Sequence, residues 1–259
     1  MLDTAVIPCG GRGTRLYPIS RWVPKELLPV QLIPLLYWTL DEAVAAGLRR
    51  AIIVTNPEKP LVEAAARDYP GAGDGGLKLE FVPQDRPAGL GDALLRARPL
   101  LRGAPFMVML PDNLFTGPSP TVAVLDAWRA ARMATVLLTR IAAVDAGAAG
   151  ATGRVRVEPR DDGTLLVTAL AGKGEGRFDT AGAAVAATAI GRFTFEGDVF
   201  GEFEAVASTL APGAELDDVP VLQRLAARRA LAGVWNPARF YDVGVPEGYR
   251  QAVVDHPPS

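Results

Sequence analysis

Through the first half of this chain, short apolar runs rich in Val, Ile, Leu and Phe alternate with longer amphipathic stretches, and that alternation is the strongest constraint on the fold. Strands separated by helices build a mostly parallel sheet, because each crossover helix carries the chain back to start the next strand in the same direction. Candidate strands are Thr4 to Cys9, Ala51 to Thr55, Leu77 to Val82, Phe106 to Leu110 and Ala134 to Ile141. Helical spacing runs over Leu35 to Ala46, Pro60 to Asp68, Leu90 to Leu101 and Pro120 to Arg132. Turn signals at Ala46-Gly47 and Gly71 to Gly76 separate them. From Arg154 the grammar changes. Strand-like runs at Arg154 to Glu158, Leu165 to Leu170 and Val185 to Phe193 surround Asp161-Asp162-Gly163, a hairpin-type turn that predicts an antiparallel extension. Ala142 to Thr152, rich in Ala and Gly, reads as a linker or hinge, with close packing of small residues as the other reading. Helical patterns return at Glu202 to Leu210, at Val219 to Ala230 and after Pro246. With 259 residues, 49% of them hydrophobic, and no internal repeat, the expectation is one α/β domain over residues 1–259.

Charge and composition narrow the partners. A formal net charge of −2 supplies no global attraction to nucleic acid or an anionic membrane, so neither is expected as a partner and any anion site must be local. The one cysteine, Cys9, cannot close an internal disulfide, and with His256 as the one histidine no Cys/His zinc cluster can form. A metal would have to be held by oxygen. The chain opens with the strand-like Thr4 to Cys9, and no apolar stretch approaches the roughly 20 residues that span a bilayer, so a cytoplasmic location is expected.

The segment after the first strand concentrates the chemistry. Gly10, Gly11 and Gly13 let the backbone bend and bring its N–H groups close to a ligand, and Arg12, Arg15, Arg21 and Lys25 precede the first acid, Glu26. Amides and guanidinium forks together suit a polyphosphate. The loop is neither a Walker A sequence, which needs Gly-Lys-Ser/Thr, nor a dinucleotide fingerprint, since Leu16 stands in place of the third glycine.

Gly11-x-Gly13-Thr14-Arg15 followed by Pro24-Lys25-Glu26-x-x-Pro29 resembles the signature of the sugar-1-phosphate nucleotidyltransferases. The resemblance continues through Gln84 with Gly89-Leu90-Gly91, Leu110-Pro111-Asp112-Asn113 and Tyr241-Asp242-Val243-Gly244, in order along nearly the whole chain. It implies a Rossmann-like three-layer sandwich of the glycosyltransferase-A-like nucleotidyltransferase type, and attack by a sugar-phosphate oxygen on the α-phosphorus of a nucleoside triphosphate. Such a transfer depends on positioning and placed cations, not on a nucleophilic side chain. By resemblance, Arg15 would hold the departing phosphates and Lys25 would bridge the α-phosphate and the sugar phosphate. Asp112 and Asp242 would hold Mg2+, which accepts one or two carboxylates with water and phosphate completing its shell. Gly10, Gly11, Gly13, Thr14, Gln84 and Gly89 would bind the nucleotide, with the Gln84 amide facing a pyrimidine base. The nucleotide part would lie mainly in residues 1–141 and the sugar-phosphate part mainly in 142–245.

The central region departs from the family pattern. Where a Val-Glu-Lys-Pro segment is common, this chain reads Leu170-Ala171-Gly172-Lys173-Gly174, leaving Lys173 as the candidate for the sugar phosphate, and Ala186 stands at the position read as the family's Asn. The expected reaction is UTP with glucose 1-phosphate, as in the uridylyltransferase branch. The thymidylyltransferase branch, using dTTP, is the alternative, and a nucleotide-binding regulatory paralogue is the alternative from another class. Family members that form dimers or tetramers make a homo-oligomer an expectation by resemblance. Cys9, Leu35, Leu36, Trp38 and Leu40 read as core, His256 as tail, and Glu215, Asp217 and Asp218 as negative charge at a helix start.

Overall fold

The first apolar run is covered on both faces and forms the strand around which the site is built. The computed structural model describes residues 2–73, 75–150, 152–160, 164–174 and 177–256. β1 (Thr4–Pro8) is followed by a small hairpin of β2 (Pro29–Val30) and β3 (Ile33–Pro34). The alternation then runs α1 (Leu35–Ala45), β4 (Arg50–Thr55), α2 (Pro60–Arg67), β5 (Lys78–Pro83), α3 (Leu90–Leu101) and β6 (Phe106–Met109). Next come β7 (Asn113–Thr116), α4 (Pro120–Ala131), β8 (Ala134–Ala142), β9 (Val155–Pro159), β10 (Leu165–Leu170) and β11 (Val185–Phe195). The chain closes with α5 (Phe200–Ala207), α6 (Val219–Ala227), β12 (Leu231–Trp235), β13 (Arg239–Asp242) and α7 (Pro246–Asp255).

Among the described residues nine strands form one sheet in the order β5-β4-β1-β6-β11-β8-β12-β10-β9. The first four are parallel, β11 runs antiparallel between β6 and β8, β12 is parallel to β8, and β10 and β9 continue antiparallel. Side chains alternate across the sheet with a period of two. Val6, Ile52 and Val54 pack with α3, α5 and α6 on one face, while Ala5, Ile7 and Ile53 pack with α1, α2 and α4 on the other. Burial on both faces explains why these strands read as continuous apolar runs. Because β1, β4 and β6 are parallel, the segments leaving their carboxyl ends gather along one edge, where open α/β sheets bind ligands. Among the described residues no helix is long and apolar enough to cross a membrane.

The Ala/Gly-rich stretch after β8 forms 3-10 turns over Ala143–Ala148, none of them buried, and packs closely at Ala149 and Gly150. Asp161-Asp162-Gly163 lies outside the described residues, and β9 and β10 on either side of it pair antiparallel.

Candidate active site

Two aspartates far apart in the sequence are joined by backbone pairing. β7, which starts directly after Asp112, pairs antiparallel with β13 so that Asn113 faces Asp242, and Val243 N–H donates to the Asp112 carbonyl at 2.9 Å. A Cβ on Gly244 would stand 2.8 Å from Asp112 Oδ2, 3.1 Å from Asp242 Oδ1 and 3.2 Å from Arg15 Nη2. Glycine there lets two carboxylates and a guanidinium converge. Gly150 N–H donates to Asp242 Oδ2 at 2.6 Å and Gly244 N–H to Oδ1 at 3.1 Å, fixing the carboxylate. The Arg15 guanidinium also lies against Gly150, where a Cβ would come within 1.9 Å of Nη1.

Lys25 donates from Nζ to Asp112 Oδ2. Burial works against the ammonium, but Asp112 and Glu26 outweigh it and hold the pKa above the ordinary lysine value. Burial pushes Asp112 upward too, yet Lys25 and Arg15 hold it below the usual carboxylate range. Asp242 is pushed up, first by burial and then by the charge of Asp112. The two carboxyl groups therefore share a buried site with Lys25 and Arg15.

The glycine loop packs against the Gln84 side chain. Gln84 is 3% exposed and donates from Nε2 to the Gly89 carbonyl at 3.1 Å and to Asp92 Oδ2 at 2.8 Å. Both partners are acceptors, which fixes the amide orientation and leaves only Oε1 to a ligand. A Cβ on Gly10 would lie 2.2 Å from that oxygen, so the loop touches the amide at its closest point. Gly89 has φ of 97° and a Cβ there would meet the Leu216 carbonyl at 2.3 Å. Gly91 N–H donates to Leu216 O and Leu216 N–H to Ala88 O, both at 2.8 Å. Replacing Gly89 by alanine is expected to destabilise the fold by at least about 1–3 kcal/mol from backbone strain alone. Urea denaturation measures this, and an unchanged midpoint would show that the segment relaxes freely.

At the far side of the site, Lys173 Nζ bonds Asp217 Oδ1 at 2.6 Å and Asp218 Oδ1 at 3.5 Å. Asp218 occupies the N-cap of α6 with Asp217 just before it, so negative charge does stand at this helix start, and it also forms an ionic cluster with Lys173. Burial, then Asp217, pushes the Asp218 carboxyl up to about 7. Cys9 is buried, which pushes its thiol pKa up and leaves it a core residue.

One cavity of about 580 Å³ is bordered by Gly10, Gly11, Gly13, Thr14, Arg15, Lys25, Gln84, Gly89, Asp112, Lys173 and Asp242. Among the described residues no group of three or more His, Cys, Asp or Glu could cage a metal. Asp112 and Asp242 nevertheless aim at one point beside Gly244, a donor set that fits a hard divalent cation taking its remaining ligands from water and phosphate. Sequence reasoning missed Gly150, Asn56 and Lys59, whose partners are backbone groups or residues distant along the chain. No spacing rule marks such contacts. Asp218 was noticed, but its place in the cavity wall depends on the docking of Leu216 against Gly91.

Residues 4–256 match the family model described as Nucleotidyl transferase. The glucose-1-phosphate thymidylyltransferase of Neisseria gonorrhoeae is 36% identical over 137 residues, covering 52% of this chain and 46% of that protein. This match spans about half the length of the relative. The UTP–glucose-1-phosphate uridylyltransferase of Klebsiella pneumoniae is 25% identical over 292 residues, covering 97% of this chain and 91% of the relative. A crystal structure of UDP-glucose pyrophosphorylase complexed with UDP-glucose aligns with a TM-score of 0.82 at 24% identity, with 98% of each chain covered. UTP-bound UGPase from Acinetobacter baumannii aligns with a TM-score of 0.77 at 22% identity, over 99% of this chain and 95% of that one. The structural likenesses carry the fold, a mixed and mostly parallel sheet between helical layers, and the match across nearly the whole sequence places this chain in the nucleotidyl transferase family.

Proposed function

We propose that this chain transfers the uridylyl group of UTP to glucose 1-phosphate, forming UDP-glucose and pyrophosphate. The observation that carries the reading is the convergence of Arg15, Lys25, Asp112 and Asp242 beside the glycine loop in one cavity wall. In this reaction a sugar-phosphate oxygen attacks the α-phosphorus in line and pyrophosphate leaves. Both reactants are anionic, so bringing them together is the main obstacle. Lys25 would neutralise the α-phosphate and the incoming phosphate together, and Arg15 would hold the departing oxygens. The attacking oxygen already carries charge, which removes any need for a general base. Asp112 and Asp242 would hold Mg2+, which when bound supplies further positive charge to the phosphate oxygens. Residues 1–141 then serve mainly the nucleotide and 142–245 mainly the sugar phosphate, with Lys173 as the candidate cation at that end.

The full-length uridylyltransferase relative favours UTP and glucose 1-phosphate. The higher identity of the thymidylyltransferase over half the chain favours dTTP as the second reading, since uracil and thymine offer the same edge to Gln84. Magnesium-dependent pyrophosphate release, measured for UTP, dTTP, CTP, ATP and GTP against several sugar 1-phosphates, tests both. The expected result is greatest release with UTP and glucose 1-phosphate. Tight nucleotide binding without release from any pair would instead identify a binding paralogue.

A further inference from the structure

Three successive carbonyl oxygens at the head of the glycine loop are held from one side. Lys59 Nζ donates to Cys9 O and Gly11 O, each at 2.9 Å, and Asn56 Nδ2 donates to Gly10 O at 3.3 Å. In a trans peptide the N–H points opposite to the preceding C=O. Holding these oxygens toward the turn between β4 and α2 therefore aims the N–H groups of Gly10, Gly11 and Arg12 the other way. Those residues border the cavity, and among the described residues their N–H groups have no acceptor. Successive free amides of this kind make an anion-binding concavity.

The third Lys59 bond reaches the other arm of the loop. Its Nζ donates to Glu26 Oε2 at 2.7 Å, and Glu26, next to Lys25 in sequence, is 1% exposed, with no partner for Oε1 among the described residues. Asn56 is fixed in turn, because its Oδ1 accepts from Glu58 N–H at 2.8 Å. Lys59 does not border the catalytic cavity. It lies on the opposite side of the loop, in the wall of a second hollow with Arg12 and Trp22.

We propose that Lys59, assisted by Asn56, is a positioning residue: it orients the glycine-loop amides toward the phosphates of the nucleotide and locks the segment carrying Lys25 in register with them. The inference rests on the reading of this loop as the triphosphate site. It acts through backbone direction, so its loss should weaken phosphate binding without any lost contact to substrate.

Lys59→Met alone strands the buried Glu26 charge and is expected to destabilise the fold. The pair Glu26→Gln/Lys59→Met removes one charge of each sign, leaving local net charge unchanged, and separates orientation from electrostatics. Calorimetry with inorganic tripolyphosphate, and with UTP and dTTP, is expected to show at least about a tenfold weaker Kd for the double variant. Glu26→Gln alone keeps the carbonyl anchors while weakening the link to the Lys25 arm, so its loss of tripolyphosphate affinity should be smaller than that of the double variant. In turnover, KM for the nucleotide should rise more than KM for the sugar 1-phosphate, which shares only Lys25 with this segment. A folded double variant with parental tripolyphosphate affinity overturns the proposal, as does failure of the parent to bind any of these phosphates. If the parent binds but turns over no substrate pair, the proposed reaction fails while these affinities still decide the role of Lys59.

Discussion

Replacing Lys25 by alanine is expected to lower kcat by about 10²–10³-fold, the usual loss when a preorganised charge is removed from a transition state. Lys25 is the cation that donates directly to Asp112, whereas the Arg15 guanidinium lies against Gly150 and beside the Gly244 position. The fold should survive. Asp112 would keep the charge of Arg15 as a neighbour. Steady-state pyrophosphate release, normalised to folded protein by circular dichroism, makes the comparison. Turnover within about threefold of the parent, far short of that electrostatic loss, would remove Lys25 from the mechanism.

The largest expected effect on stability lies behind the site. Arg192 is 1% exposed and pairs with Glu42 through Nη2 at 2.6 Å and Nε at 3.2 Å. It also donates to the carbonyls of Leu110 and Gly191, both at 2.9 Å, and of Asn113 at 3.3 Å, with its guanidinium 4.8 Å from the Phe115 ring centroid. These bonds brace both flanks of Asp112 from below. Glu42→Ala strands a buried guanidinium and is expected to lose about 3–5 kcal/mol, a large share of the ~5–15 kcal/mol by which domains are stable. Glu42→Leu/Arg192→Met should recover part of that, since no lone charge remains buried. Urea denaturation of the three proteins decides the point: equal stability of Glu42→Ala and the parent would mean that Arg192 finds another partner or water.

What could be read from the sequence follows a physical divide. Strands such as Thr4–Pro8 and Arg50–Thr55 announced themselves because burial on both faces leaves unbroken apolar runs. The glycine loop was legible because its residue types and spacing are local. β7 and β13, four residues each, are too short to carry a period and find each other only through tertiary pairing. The same holds for Lys59 and Arg192. Their roles depend on carbonyls and acids that the fold, not the neighbouring sequence, places beside them. The Ala/Gly stretch after β8 was ambiguous because small side chains serve both flexible spacers and close contacts. The Gly150 amide on Asp242 shows close contact at its end, while Ala143–Ala148 stays unburied.

The pairing of β7 with β13 also bears on when the molecule becomes competent. The ribosome delivers Asp112 early and Asp242 130 positions later, and their carboxylates meet only after the late strand has docked beside the early one. A nascent chain can thus assemble the parallel strands around β1 and shape the glycine loop while its acidic pair is still half missing. If the two carboxylates hold the cation as proposed, that capacity arrives only with the late strand, as does the Leu216 clasp on the Gly89 to Gly91 segment, so a partly made chain lacks both.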